Sequence, residues 1–186
     1  LSLHDALPIC NIGTASPIGD LPPVLLAWDA TLTLASVRGI REVAIATFFT
    51  GYRQTVLQPD EVIVSIHISK TITPGATRRL SQSYKVGKRG TDDISIVAAT
   101  FTIDLDANNR ILLARLAYGG VAATPVRATE IEDSLVGQPW TIDTIQAVKP
   151  QLQSTFTPLS DLRASAEYRN RLVANLFEKF FYEFSL

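Results

Sequence analysis

The sequence predicts an α+β fold, with strands first and helices last, and two observations carry that expectation. Residues 31–36, 61–68 and 80–86 alternate apolar with polar or small side chains and 94–104 is rich in small and β-branched residues, with Gly, Pro, Asn and Asp turns between the runs. Residues 126–186 instead carry apolar side chains at three- and four-residue steps between helix start and stop signals. At 186 residues and 46% hydrophobic, the chain can bury a real core as one domain or two small ones.

Composition narrows the function classes. A net charge of -1 predicts no general attraction to nucleic acid or to an anionic membrane. No apolar run approaches the ~20 residues of a spanning helix, and residues 1–10 lack the basic and apolar regions of a signal peptide. One cysteine, Cys10, and two histidines, His4 and His67, exclude an iron–sulfur cluster or structural zinc held by this chain alone. The lack of any possible intrachain disulfide fits a reducing, cytoplasmic compartment. Residues 1–10 match nothing that follows and read as a foreign leader; the absence of methionine points to a fragment.

Residues 11–20 hold Gly13, Pro17 and Gly19 among the short polar side chains Asn11, Thr14, Ser16 and Asp20. Glycine lets backbone approach a ligand closely, and proline leaves one donor fewer to satisfy. Such a loop can aim N–H groups and hydroxyls at a polyhydroxy or phosphate-bearing ligand. Pro22 and Pro23 suit the first turn of a short helix, so Asp20 has two readings: N-cap, or acceptor for a sugar hydroxyl.

Residues 31–36 predict a strand, Arg38 and Gly39 a turn, 42–45 a second strand, and 46–51 one helical turn with Phe48 and Phe49 in the core. In strand 61–68, Val62, Val64, Ile66 and Ile68 form the apolar face; Ile63 is the lone apolar residue among Glu61, Ser65 and His67. Ile63 reads either as an ordinary β-branched strand residue or as a wall against a flat ring. His67 reads as a half-buried strand histidine. Pro74 and Gly75 mark a boundary, and Arg78 and Arg79 after it are expected to be solvated. A strand from Leu80, a basic loop ending in Asp92 and Asp93, a strand over 94–104, a turn at 106–110 and a return strand over 111–118 predict a three-stranded antiparallel sheet. Helices follow at 126–136, at 141–152 with Pro150 ending it early, and from Ser160 or Asp161 onward.

Several separated motifs resemble the flavoprotein part of xanthine dehydrogenases. Asn11, Ile12, Thr14, Ala15, Ser16, Pro17, Ile18, Gly19 and Asp20 follow the order of its second flavin-contacting segment. Phe48, Phe49, Tyr52 and Arg53 resemble a further signature; Lys85 with Lys88, Arg89, Asp92, Asp93 and Ile94 resembles its lysine-and-aspartate loop. Gly119, Gly120, Val121, Ala122 and Pro125 resemble its Gly-Gly-Met-Ala turn, with Val121 replacing methionine; residues 156–169 resemble the bacterial small subunit.

The resemblance implies the second half of a flavin-binding domain over 11–72, then the flavoprotein C-terminal domain over 80–186. It implies that Asn11, Thr14, Ser16 and Asp20 contact FAD, that Ile63 packs on the cofactor and that Lys85 puts positive charge near it. Asp92 and Asp93 either tune reactivity toward NAD or cap the next strand. In such a complex the iron–sulfur clusters and the molybdopterin belong to the partner iron–sulfur region and molybdenum-binding subunit. Three functions stay open: an electron-transfer module of a molybdenum-containing xanthine dehydrogenase, the same module of a carbon monoxide dehydrogenase or aromatic acyl-CoA reductase, and a non-catalytic docking module. No general acid, base or nucleophile is expected, since the cofactor carries the chemistry.

Overall fold

The computed structural model describes residues 11–89 and 93–185. Helix α1 (Leu21–Ala27) begins with prolines at positions whose N–H groups have no helical partner, and it buries Leu25, Leu26 and Ala27. Strands β1 (Thr31–Ser36) and β2 (Gly39–Ala44) form a hairpin pairing Thr31 with Ala44 and Ser36 with Gly39. Its tight turn needs Gly39 at φ +132°. One turn of helix, α2 (Ile45–Phe48), follows, and then the short pair β3 (Phe49–Gly51) and β4 (Gln54–Thr55). Strand β5 (Val62–His67) pairs antiparallel with the other side of β1, giving the order β2-β1-β5.

The exposed face of β5 differs from the expected one. Leu32 pairs with Ile66 and Leu34 with Ile63, because the register slips between Thr33 and Leu34. That irregularity lets Ile63 and Ile66 both pack on the first core with Leu32 and Leu34. Val62 and Val64 are left 63% and 57% exposed, and Ile68 and His67 are exposed too. Ile12, Leu25, Leu32, Leu34, Ile45 and Phe48 form the centre of this core.

The second sheet has the order β6-β7-β8-β9. Strands β6 (Arg78–Val86), β7 (Val97–Leu105) and β8 (Ile111–Gly119) are the three long antiparallel strands that the alternation predicts. The fourth, β9 (Val126–Arg127), is two residues taken from the start of the expected helix; Val126 pairs with Tyr118 and Arg127 with Ala117. Helix α3 (Thr129–Leu135) therefore starts later, once Arg127 is tied to Glu132 and Asp29.

Helix α4 (Ile142–Ser154) is capped by Thr141 and runs past Pro150, because Leu152 in its last turn is buried in the core. Helix α5 (Ala166–Phe184) starts after Ser165, whose hydroxyl accepts from Tyr168 N at 3.2 Å. Ser160 reaches the first residue of α5 from farther back, while Asp161 caps the turn before the helix. Ser160 accepts from Ala166 N at 2.8 Å, and Asp161 accepts from Arg163 N and Ala164 N. Leu162, expected on the helical stripe, is therefore exposed, while Val173, Leu176, Phe177, Phe180 and Phe181 are buried. Their rings join Phe101, Tyr118 and Trp140 through tilted and edge-on contacts.

All nine residues of β7 are buried. Phe101, Ile103 and Leu105 face the helices. Thr100, Thr102 and Asp104 face the other way, and the odd-numbered residues of β6 meet them: Ser83 with Thr100 and Ser81 with Thr102, each at 3.0 Å. Arg79 closes the row as a bidentate partner of Asp104 at 2.6 and 2.7 Å, not as a solvated side chain. Helix α1 packs against β7 and β8, and Ala117 of β8 joins the first core while Leu116 and Tyr118 join the second.

Candidate functional site

Residues 11–13 are helical, and 14–20 form the tightly turned loop that the sequence predicts. Ala15 N donates to Ile12 O at 3.0 Å, Gly19 N to Ser16 O at 3.1 Å, and the Thr14 hydroxyl to Asn11 O at 3.3 Å. Ala15 sits at φ +47°, while Gly13 and Thr14 are exposed. The end of β8 meets this loop through two glycines. Gly120 N donates to Pro17 O at 2.7 Å, and a Cβ on Gly119 would stand 3.2 Å from the same oxygen. Gly120 adopts φ +84°, and a side chain there would collide with Ile96 O. The glycine pair therefore lets the second sheet close onto the loop.

Asp20 does not cap α1. Its backbone is helical (φ -79°, ψ -32°), and its side chain makes no capping bond. The carboxylate turns instead to the second sheet. Lys85 Nζ donates to Oδ2 at 2.9 Å, and the Ser95 hydroxyl donates to Oδ1. Lys85 lies on the same face of β6 as Arg79, Ser81 and Ser83, so strand alternation aims it at the loop. The Asp20 side chain remains 49% exposed, whereas Ser95 is 2% exposed. Ser95 was not visible to sequence reasoning; its only signal was a small polar residue ahead of a β-branched run.

The other predicted residues divide. Asn11, Thr14, Ser16, Asp20 and Lys85 gather around one loop, and the buried Asn11 Oδ1 has no hydrogen-bond partner among the described residues. Ile63 packs half-buried on the first core, and no described contact joins it to Asp20 or Lys85. Asp93 serves its own loop, accepting from Ile94 N at 2.8 Å and from Lys88 N and Arg89 N at 3.1 Å. These donors, Ile94 N first and with Arg89 alongside, hold its carboxyl below the ordinary aspartate range. Asp92 lies outside the described residues. A groove of about 220 Å³ opens beside the loop, lined by Pro17, Ile18, Tyr52, Gly120, Arg163 and Arg169 among others. Among the described residues no helix is long and apolar enough to cross a membrane, and no cluster of His, Cys, Asp and Glu could hold a metal ion.

Known proteins resemble this chain in sequence and fold. Residues 10–71 match the FAD binding domain in molybdopterin dehydrogenase, and residues 82–184 match the CO dehydrogenase flavoprotein C-terminal domain. The xanthine dehydrogenase of Blastobotrys adeninivorans is 37% identical over 182 residues, covering 95% of this chain and 13% of the relative. The nicotinate dehydrogenase FAD-subunit of Eubacterium barkeri is 30% identical, covering 92% of this chain and 57% of the relative. Among solved structures, the carbon monoxide dehydrogenase of Hydrogenophaga pseudoflava superposes with a TM-score of 0.81 at 26% identity, covering 91% of this chain and 57% of that one. The chain thus spans about an eighth of the first relative and just over half of the other two. It belongs to the flavoprotein family of the molybdopterin dehydrogenases.

Proposed function

We propose that this chain forms part of the FAD-binding electron-transfer module of a cytoplasmic, molybdenum-containing xanthine dehydrogenase. The single observation that carries the reading is the Asp20 carboxylate, held by Lys85 and Ser95 at the exposed edge of the glycine-containing loop. The residues fit a flavin dinucleotide. Asp20 and the hydroxyls of Thr14 and Ser16 suit sugar hydroxyls and phosphates, and open space over Gly13 admits close approach. Asn11 Oδ1, without a hydrogen-bond partner among the described residues, is an acceptor that a ligand donor would satisfy. When bound, FAD would supply redox chemistry between the iron–sulfur clusters of the parent complex and NAD.

The chain's own residues orient and tune. Lys85 places a cation beside the site, which favours negative charge developing there. The groove lined by Tyr52 and Arg163 offers an aromatic face and a guanidinium, the chemistry that an incoming nicotinamide dinucleotide would meet. In the parent complex the partners would be the iron–sulfur region and the molybdenum-binding subunit. Substrate choice would rest with the latter, so the same module could serve carbon monoxide or acyl-CoA chemistry. A docking role has one observation in its favour, the exposed Val62, Val64 and Ile68 face of β5.

The test is flavin content. The full-length gene product should purify with FAD, and Asp20→Ala should purify with much less and bind added FAD more weakly, while keeping its circular dichroism. Full retention of FAD by Asp20→Ala would contradict the assignment, and unfolding would show that Asp20 is structural.

A further inference from the structure

We propose that Ser95 is a positioning residue for ligand binding at Asp20; the inference rests on the FAD reading above. Asp20 and its two donors come from different parts of the chain: the carboxylate from the loop before α1, Lys85 from the end of β6, and Ser95 from the segment entering β7. Lys85 alone is a poor positioner. Its ammonium sits on a flexible stem, its side chain is 30% exposed, and a point charge imposes little direction on a carboxylate. Ser95 has the opposite character. It is buried, short, and anchored next to Ile96, whose backbone N–H donates to Val86 O at 2.7 Å and whose carbonyl accepts from the buried Arg169 guanidinium.

The consequence is directional. With Oδ1 taken by Ser95 and Oδ2 by Lys85, the Asp20 carboxylate is held from two sides while its side chain stays 49% exposed, leaving acceptor capacity for a ligand. A free aspartate at that edge would sample several rotamers and would have to be ordered when the ligand binds. Ser95 does this in advance, and preorganisation of that kind strengthens binding. The second sheet thereby acts on a site whose ligand contacts lie on the loop.

The experiment compares FAD affinity of the deflavinated full-length gene product, read by flavin fluorescence quenching, for wild type, Ser95→Ala, Asp20→Ala and the double variant. Ser95→Ala removes one oxygen from a buried site, so the fold should hold. We expect its FAD affinity to fall roughly tenfold, the scale of one charge-assisted hydrogen bond. In the Asp20→Ala background the same substitution should change affinity by less than about twofold, because the group it positions is gone. Equal affinity of wild type and Ser95→Ala would overturn the inference while leaving the FAD reading intact, as would an unchanged tenfold loss in the Asp20→Ala background. No FAD binding by wild type would overturn both.

Discussion

Replacing Asp104 by alanine is expected to destabilise the fold by about 3–5 kcal/mol, the range for breaking a buried ion pair from one side. The magnitude follows from what the carboxylate holds. Its side chain is 0% exposed and accepts from Arg79 Nε at 2.6 Å, Arg79 Nη2 at 2.7 Å, Thr73 N at 2.8 Å and the Thr73 hydroxyl at 2.7 Å. Burial alone would raise its pKa, yet the bonds from Arg79 and Thr73 outweigh it and hold the carboxyl below the ordinary range. Removing the carboxylate strands a largely buried guanidinium and two Thr73 donors. Because Arg79 keeps 16% of its side chain in water, and so some hydration, we expect the lower end, about 3 kcal/mol.

Urea unfolding followed by far-UV circular dichroism should show a lower midpoint with an unchanged slope, and a melting temperature lower by about 6–12 °C. The control is Arg38→Ala, which breaks the solvent-exposed pair with Asp60 and should leave the midpoint nearly unchanged. Equal losses for the two variants would refute the reasoning, since burial would then have no bearing on what an ion pair contributes here.

Three further outcomes are expected. Gly120→Ala forces a side chain into Ile96 O at φ +84°, so it should destabilise by at least about 1–2 kcal/mol and loosen the loop at Pro17, read as faster amide exchange at Gly120. Glu61 is held at a pKa of about 2, first by the Arg41 side chain and then by Gln58 N. Its folded value lies below its ordinary value of 4.5, so its contribution is complete above about pH 4.5 and disappears as pH falls toward 2. Glu61→Gln should flatten the acid-unfolding curve in that window and leave its shape above it unchanged. Lys85→Ala should lower the flavin midpoint potential of the full-length gene product in a redox titration without removing the cofactor, and an unchanged potential would count against its electrostatic role.

Much of the fold was legible in the sequence because the signals were periodic. Strand alternation located β1, β5 and the start of β6, β-branched composition and the turn at 106–110 located β7 and β8, and helical spacing located the buried stripe of α5. The errors came where tertiary contacts outweigh local pattern. The irregularity at Thr33 exchanges which β5 residues face the core, and no property of the strand itself announces it. Val126 reads as a helix start, yet an open edge of β8 offers it backbone partners. Ser160 and Asp161 carry capping chemistry and do cap, but Ser160 reaches the first residue of α5 across a turn that Asp161 closes, so the helix starts at Ala166 rather than directly after them. Arg79 looked solvated because its partner, Asp104, stands 25 residues away on the neighbouring strand. At the site, motif order pointed to Asp20 and Lys85. It could not show that they touch each other, nor that Ser95 completes the set, since a lone serine carries no spacing signal.

The most direct test of the central claim is hydrogen–deuterium exchange of the deflavinated full-length gene product with and without added FAD. The account predicts new protection concentrated in residues 11–20 and in the peptides carrying Lys85 and Ser95, with little change in α3 and α4. Tight FAD binding that leaves those peptides unprotected, and protects others in this chain instead, would contradict it.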